Sequence, residues 1–282
     1  MSSEPPCSRS PLATDANAGK VAIVTGAGTG IGRAAALELG RTGARLVLCG
    51  RREHLLDETR RMLEVMGAEA LVVPVDLREP ENAVAVVDRS LERFGAIDLL
   101  INVAGGQFSA PAEAITPNGW RAVFRLSLDV VWYLTREVAT RSMIPRRHGV
   151  VIFVGFSPRR GVPSVAHSAA ARAGLENLAG TLAAEWSRYG IRAICLALGS
   201  FHSGVFLEPG RAEEHAPTVP LGRVAMPAEA GTVIAFPTSA GAAYITGTAI
   251  AVDGGREAWG LARVPPPALP PENGELLPAI AV

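Results

Sequence analysis

Short apolar runs alternate with segments of helical length along most of this chain, and this alternation restricts the fold more than any other feature. Strands that alternate with helices form a parallel sheet whose two faces are both covered by helices. The predicted fold class is therefore α/β, with one doubly wound parallel sheet. Seven runs have the length and composition of its buried strands: KVAIVT, RLVLCG, ALVVPVD, IDLLINVAG, GVVIFVG, IRAICLAL and TAIAVD.

The alternation spans residues 19–260, which we assign to a single domain because the chain has the usual length of one α/β unit. Residues 1–18 and 261–282 are rich in proline and in small or polar residues. Such a composition cannot offset the entropy of ordering by burial. We expect a flexible N-terminal extension and a Pro-rich C-terminal tail, each free or lying on the surface.

The charge balance excludes several classes of partner. Lys plus Arg and Asp plus Glu both number 27, so no net field favours nucleic acid or an anionic membrane. No apolar run reaches membrane-spanning length, and the N-terminus lacks the apolar core of a secretion signal. Cys49 and Cys195 lie in predicted strands, and neither the cysteines nor the histidines have metal-ligand spacing. These features predict a cytoplasmic protein with buried thiols and no metal site.

A glycine-rich turn follows the first predicted strand, in the stretch VAIVTGAGTGIGRAAALEL. Gly26, Gly30 and Gly32 lack side chains, so main-chain N–H groups and a helix N-terminus can approach a pyrophosphate. A lone glycine-rich turn is a weak signal, but its position between the first strand and the first helix is typical of dinucleotide sites. The sequence therefore predicts a Rossmann-like domain.

The end of the second strand indicates which dinucleotide binds. Sites that prefer NAD usually place a carboxylate there, whereas this chain has Arg51 and Arg52, whose guanidinium groups suit a 2′-phosphate. The predicted cofactor is NADP(H), although either arginine could instead face only solvent. We expect Asp76 to accept a hydrogen bond from the adenine amino group, and residues 102–105 (NVAG) to border the cofactor ribose.

Over about residues 19–260 the chain resembles the short-chain dehydrogenase/reductase family. The matching stretches are TGAGTGIG, NVAG, the helix around Trp120, ARAGLENLAGTLAAEW, IRAICLALGS and ITGTAIAVDGG. AGGQFSAPAE, VAHSAAARAG and AVDGGREAW are most similar to its trans-2-enoyl-CoA and 2,4-dienoyl-CoA reductase branch. The resemblance implies these cofactor-binding positions: Gly26, Thr29, Gly30, Ile31, Gly32, Arg51, Arg52, Asp76, Leu77, Asn102, Ala104, Gly105, Arg172, Gly199 and Ser203.

The family's usual catalytic tetrad of Asn, Ser, Tyr and Lys is absent. The corresponding positions hold Ser127, Gly155, Ser168 and Arg172. A missing Tyr and an Arg in place of Lys are also expected in the enoyl-CoA reductase branch, so Ser127 and Gly155 are the larger departures. Ketone reduction needs an acid tuned near neutral pH, which neither a serine hydroxyl nor an arginine provides.

Conjugate reduction of an enoyl thioester makes a different demand on the site. Its negative charge spreads onto the thioester oxygen, which needs positioned hydrogen-bond donors more than a matched acid. Ser168, with Ser157 or a backbone N–H, is predicted to supply those donors while solvent protonates the α-carbon. Arg172 is predicted to bridge the nicotinamide ribose hydroxyls and to add positive charge.

Three further residues lie near these positions in sequence. Helical geometry turns neighbouring side chains about 100° apart, so we place His167 at the surface or in the wall of the pocket rather than beside Ser168. Ser203 is a candidate contact of the nicotinamide amide, and His202 is a less favoured candidate for the acid.

A long connection and two long helices suggest a lid and an oligomer. Residues 204–222 have little periodicity and lie where α/β enzymes often carry a substrate lid. Arg211 and Arg223 there are candidates for a coenzyme A phosphate, although solvated surface charge is the favoured interpretation. Helical segments 117–142 and 164–188 carry more apolar surface than one sheet face needs, which predicts a homodimer or homotetramer through them.

Three functions remain open from the sequence. The first is an NADPH-dependent reductase of an enoyl thioester or a similar activated alkene in a biosynthetic pathway. The second is a dinucleotide-binding protein of the same fold without redox turnover. The third is a non-redox biosynthetic enzyme, such as a cyclase or isomerase, that uses the same pocket.

Overall fold

The computed structural model describes residues 10–157 and 161–259, so residues 1–9 of the predicted extension and the whole predicted tail lie outside the described residues. Seven parallel strands form one sheet in the order β3-β2-β1-β4-β5-β6-β7, which confirms the predicted α/β class. Each strand falls within or beside a predicted apolar run. They are β1 (Val21–Thr25), β2 (Arg45–Gly50), β3 (Ala70–Pro74), β4 (Leu99–Asn102), β5 (Gly149–Phe156), β6 (Ile191–Leu198) and β7 (Ala249–Val252).

Helices connect the strands and cover both faces of the sheet. They are α1 (Gly30–Arg41), α2 (Glu53–Val65), α3 (Pro80–Phe94), α4 (Pro117–Phe124), α5 (Val130–Val138), α6 (Ile144–Arg146), α7 (Ala166–Trp186), α8 (Arg211–His215), α9 (Pro227–Ala235) and α10 (Arg256–Trp259). Two single π turns, Arg125–Asp129 and Ala139–Met143, join α4, α5 and α6 end to end. Both predicted long helical segments are therefore helical.

Two apolar layers, one on each face of the sheet, form the core. Ile23 points into a layer closed by α3, α5 and α7, whereas its neighbours Ala22 and Val24 point into the layer closed by α1, α2 and α9. Because both faces are buried, the strands are apolar at successive positions rather than at alternate ones. Cys49 and Cys195 are buried in this core as predicted, and burial raises the pKa of the Cys49 thiol to about 12.

Residues 10–18 lie against the domain. Asn17 is fully buried and its Nδ2 donates to Thr42 Oγ1 at 2.9 Å, while its Oδ1 accepts from Thr238 Oγ1 at 2.9 Å. The side chain of Lys20 donates to the carbonyl oxygen of Thr238 at 2.6 Å. The packed part of the chain therefore begins before the predicted boundary at residue 19.

The topology defines where a ligand binds. The direction of winding reverses between β1 and β4, and ligands of doubly wound sheets bind at the carboxyl ends of the strands beside such a reversal. Within the two described ranges, no helix is both long enough and apolar enough to cross a bilayer.

Candidate active site

The turn between β1 and α1 has the backbone geometry that a phosphate cradle requires. Gly26 and Gly30 have φ angles of 69° and 52°, in the left-handed region that favours glycine. A Cβ on Gly32 would lie 2.2 Å from the carbonyl oxygen of Gly26, so only glycine fits there. Thr29, at the N-cap of α1, makes no side-chain cap hydrogen bond, which leaves the first N–H groups of the helix available for an anion.

A cleft of about 830 Å³ opens above this turn. It runs from the end of β2, past the turn, to the loop after β4 and to the start of the segment after β6. Most of the predicted cofactor positions line it: Gly26, Thr29, Gly30, Ile31, Gly32, Arg51, Arg52, Asp76, Leu77, Ala104, Gly105 and Ser203. The cleft is thus large enough and continuous enough for an extended dinucleotide.

The β2 end of the cleft is basic. Arg51 and Arg52 are both exposed and line the cleft, and neither forms an ion pair with another residue in the described part of the chain. Asp76 also lines the cleft, where Arg78 donates a hydrogen bond to its carboxylate and, together with the charge of Arg51, lowers the pKa of Asp76 to about 2. The carboxylate therefore stays an acceptor at neutral pH.

Two predicted cofactor contacts lie behind the wall of the cleft rather than at its surface. Asn102 is buried and its Nδ2 donates to Thr135 Oγ1 at 3.3 Å. A Cβ on Gly199 would lie 2.6 Å from the Cβ of Asp253, so this glycine allows the ends of β6 and β7 to approach each other. Both residues support the shape of the cleft.

Arg172 lies in α7 and reaches the cleft through Gly105. Its Nη2 is 2.9 Å from the position that a Cβ on Gly105 would take, and its guanidinium lies 5.7 Å from the ring centroid of Phe156. Burial lowers the pKa of Arg172. No described carboxylate pairs with Arg172, so the guanidinium keeps its donors for a ligand beside Gly105.

Ser168 is fully buried in the first turn of α7, and its Oγ donates a hydrogen bond of 2.8 Å to Oε1 of Gln107. Gln107 lies in the loop after β4, and its side chain is exposed. The bond fixes the carboxamide oxygen, so the Nε2 hydrogens of Gln107 remain the donors that this pair presents. Sequence reasoning missed Gln107. The sequence feature that could have indicated it is a polar side chain directly after Gly105 and Gly106, at the carboxyl end of a central strand, where ligands bind in such folds.

The other two tetrad positions have new roles. The Oγ of Ser127, in the first π turn, lies 3.4 Å from the N and 3.3 Å from the carbonyl O of Gly106, so it binds the loop backbone. A Cβ on Gly155 would lie 2.7 Å from Sγ of Cys195. The position of the family's serine therefore has no room for a side chain beside Cys195 of the neighbouring strand.

Ser157 does not point its hydroxyl into the cleft, contrary to the prediction that it donates to the substrate. It is buried, and its Oγ donates to a carboxylate oxygen of Asp253. The same carboxylate also accepts from the N–H groups of Gly255 at 2.9 Å and Glu257 at 2.6 Å. Ser157 thus holds the turn after β7.

The two histidines considered as site residues lie in different environments. His167 is fully buried, so the surface alternative predicted for it is wrong, and it does not line the cleft; its ring lies against Phe108. His202 and Ser203 both line the cleft.

None of the three tyrosines of the chain lines the cleft. Tyr133 and Tyr244 are exposed on other surfaces, and Tyr189 lies in the turn after α7. The site therefore has no phenol to act as a proton donor.

The predicted lid borders the same cleft. Gly204 and Leu207 line it, and Leu207 is 63% exposed. Further along, His215 in α8 lies 2.6 Å from Ser200 Oγ through its Nε2. Arg211 pairs with Glu208 at 3.3 Å, and Arg223 binds both carboxylate oxygens of Glu229 at 2.7 and 2.8 Å. These pairings favour a structural role for both arginines over binding of a coenzyme phosphate.

Comparison with known proteins places this fold in a known class, the nicotinamide-dependent oxidoreductases. The family model described as Enoyl-(Acyl carrier protein) reductase matches residues 26–257. The chain belongs to the short-chain dehydrogenase/reductase family. Membership implies a nicotinamide dinucleotide cofactor, and the glycine turn, with its open helix N-terminus and no room for a Cβ at Gly32, fits one.

Individual relatives agree with this assignment. The chain is 34% identical over 244 residues to the "Probable 2,4-dienoyl-CoA reductase" of Bacillus subtilis (strain 168), covering 84% of this chain and 96% of that protein. Among solved structures, it is similar to the citronellol catabolism dehydrogenase AtuB of Pseudomonas aeruginosa PAO1, with a TM-score of 0.79 and 33% identity over 88% of this chain and 99% of that one. A short chain dehydrogenase of Bacillus anthracis gives a TM-score of 0.78 and 35% identity, covering 84% and 96% of the two chains.

Proposed function

We propose that this protein is an NADPH-dependent reductase of an enoyl thioester, or of a similar activated alkene. The observation that carries the proposal is the hydrogen bond from Ser168 to Gln107, at the position where a ketone reductase has its phenol. It arranges a neutral amide donor instead of an acid. The names of the relatives that reduce dienoyl-CoA support an acyl thioester as the substrate class.

Gln107, Ser168 and Arg172 suit stabilisation of charge better than transfer of a proton. When bound, the cofactor supplies a hydride to the β-carbon of the substrate. The Nε2 hydrogens of Gln107 then stabilise the negative charge that develops on the thioester oxygen, and Arg172 adds positive charge nearby. Solvent delivers the proton to the α-carbon, because neither Gln107, Ser168 nor Arg172 titrates near neutral pH.

The preference for NADPH is supported by Arg51 and Arg52. Both line the cleft at the end of β2, where the adenosine ribose of a dinucleotide lies in folds of this kind. Because neither arginine forms an ion pair with a described carboxylate, the guanidinium donors of both can bind a 2′-phosphate.

Binding and turnover test the function separately. Titration of NADPH fluorescence measures binding, and loss of NADPH absorbance is then followed with crotonyl-CoA, a 2,4-dienoyl-CoA and simple ketones. We expect oxidation with the conjugated thioesters and none with the ketones. Binding without oxidation across a broad acceptor panel would support the alternative of a dinucleotide-binding protein without turnover. Absence of binding would favour a non-redox enzyme.

Ser168 gives a residue-level test. Ser168→Ala removes the bond that orients Gln107, so we expect kcat to fall about tenfold, as for loss of one buried hydrogen bond. Ser109→Ala, in the exposed part of the same loop, is the matched control and should retain full activity. An unchanged kcat in Ser168→Ala would contradict the role given to Ser168.

We also propose that the protein self-associates through its two long helices. A groove of about 350 Å³ between α5 and α7 is lined by Trp132, Tyr133 and Leu178, and both aromatic side chains are more than a third exposed. A second copy of the chain, related by a twofold axis, would bury the same apolar surface on each subunit. Light scattering after size exclusion tests this, since a Tyr133→Glu variant should shift the protein toward the monomer.

A further inference from the structure

The loop that carries Gln107 has no regular structure of its own. Residues 103–111 connect β4 to a short turn at Ala112–Ala114 and form neither helix nor strand. Gln107 and Phe108 are both exposed in it. An irregular loop holds a donor precisely enough for catalysis only where other contacts fix it. The contacts of this loop therefore determine where the Gln107 carboxamide lies.

Thr25 and Ser127 bind the first part of the loop, and the start of α7 with the residues before it supplies three contacts further along. The carbonyl oxygen of Ser164 accepts from the N–H of Ala110 at 2.9 Å, and Ser164 has a left-handed φ of 68°, rare for serine. Two successive loop residues then meet two successive helix residues. Gln107 accepts from Ser168, and Phe108 packs on His167 with ring centroids 4.3 Å apart and planes at 86°.

His167 is held in place by the helix that it belongs to. The N-cap residue of α7 is Val165, whose side chain cannot accept a hydrogen bond from the first turn. Nδ1 of His167 performs that function and accepts from the main-chain N–H of Ser168 at 2.8 Å. Because Nδ1 is an acceptor, the ring is neutral and its hydrogen is on Nε2.

The imidazole of His167 carries a desolvation penalty that an apolar side chain would avoid. Nε2 of His167 is buried and has no hydrogen-bond partner among the described residues. A buried donor without a partner destabilises the folded state. The imidazole accepts a hydrogen bond from the first turn of α7 and makes a ring contact with Phe108. A leucine could make neither contact.

We propose that His167 is a positioning residue that fixes the Gln107 carboxamide at the reactive site proposed beside the cleft. It acts through two contacts, the cap on Ser168 N–H and the ring contact with Phe108, which together align residues 107 and 108 with residues 167 and 168. Its effect on catalysis rests on the proposed function. His167 itself does not line the cleft, so it does not contribute to cofactor binding.

Three substitutions separate the two contacts. His167→Asn keeps an acceptor near the position of Nδ1 and loses the ring; His167→Phe keeps a ring and loses the acceptor; His167→Leu loses both. We expect kcat with an enoyl thioester to fall about tenfold or more in His167→Leu, as for a displaced catalytic group, and less in the other two. NADPH affinity should stay unchanged in all three. His148→Asn, at an exposed histidine, is the control.

A double-mutant cycle tests the ring contact. If His167 acts through Phe108, the losses of kcat in His167→Asn and Phe108→Leu are not additive in the double variant. Additive losses, an unchanged kcat in His167→Leu, or a parallel loss of NADPH affinity would each overturn the proposal, the last because it would indicate a general structural effect.

Amide hydrogen exchange keeps this inference separate from the proposed function. Exchange in a peptide covering residues 103–111 should be several-fold faster in His167→Leu than in the unchanged protein. If the unchanged protein reduces no thioester, the proposed function fails, whereas faster exchange in the variant still supports His167 as the residue that holds the loop. Unchanged exchange would overturn the inference whatever the activity.

Discussion

The cofactor cleft and the proposed reactive site beside it are built in different ways. In the cleft, the key groups are main-chain N–H groups shaped by glycines within one turn, from Gly26 to Gly32. At the proposed reactive site, the key groups are side chains from distant parts of the chain, such as Ser168 and Gln107, which are 61 positions apart. Substitutions in the first region should therefore act on binding, and those in the second on turnover.

The largest expected effect is at the glycine turn. In Gly32→Ala the new Cβ would overlap the carbonyl oxygen of Gly26, so the turn must shift away from the phosphate position. We expect loss of measurable NADPH binding and a decrease of about 1–3 kcal/mol in the free energy of unfolding. Gly241→Ala is the control, since a Cβ there meets only atoms at 3.6 Å or more. Retained NADPH affinity in Gly32→Ala would mean that the glycine turn does not determine cofactor binding.

A substitution of the carboxamide addresses the opposite region. Gln107→Leu removes the proposed donor to the thioester oxygen and should lower kcat about 100-fold, the usual loss for one such donor. NADPH affinity should not change, because Gln107 does not line the cofactor cleft. Gln107→Asn, which retains a shorter amide, should lose less. Equal activity of the Leu and Asn variants would argue against donation by the amide.

The choice between the two cofactors is tested at β2. Arg51→Asp should reverse the preference from NADPH toward NADH, with NADPH affinity falling about tenfold or more, since a charge-assisted hydrogen bond to phosphate is lost and a repulsion is added. Arg61→Asp makes the same charge change at an exposed position of α2 outside the cleft. Similar NADPH affinities in the two variants would mean that Arg51 does not bind the 2′-phosphate.

The smallest expected effect concerns the missing family serine. Gly155→Ser places a Cβ 2.7 Å from Sγ of Cys195 and should decrease the free energy of unfolding by about 1–2 kcal/mol. Adding Cys195→Ala should restore much of that stability, which urea denaturation would measure. If Gly155→Ser is as stable as the unchanged protein, the contact with Cys195 does not explain the glycine.

The same contrast explains how far the sequence predicts the structure. The strands and the glycine turn are predictable, because buried parallel strands are continuous apolar runs and the turn geometry is determined by residues within it. Contacts between distant side chains are not predictable in this way. The Ser157 hydroxyl binds Asp253, 96 positions away, and the ring of His167 packs on Phe108, which lies in a separate loop. Gln107 was not predicted because it lies in an irregular loop, where the sequence pattern does not indicate which side chains face a site.

Arg172 has a consequence for how the folded protein responds to its ligands. Its guanidinium is partly buried, and the described chain offers it a ring and a glycine but no acidic partner. Anionic or hydroxyl oxygens that bind beside Arg172 offset the desolvation penalty of its charge. Ligand binding beside Arg172 therefore adds to the stability of the folded protein, and a rise in melting temperature should accompany cofactor binding.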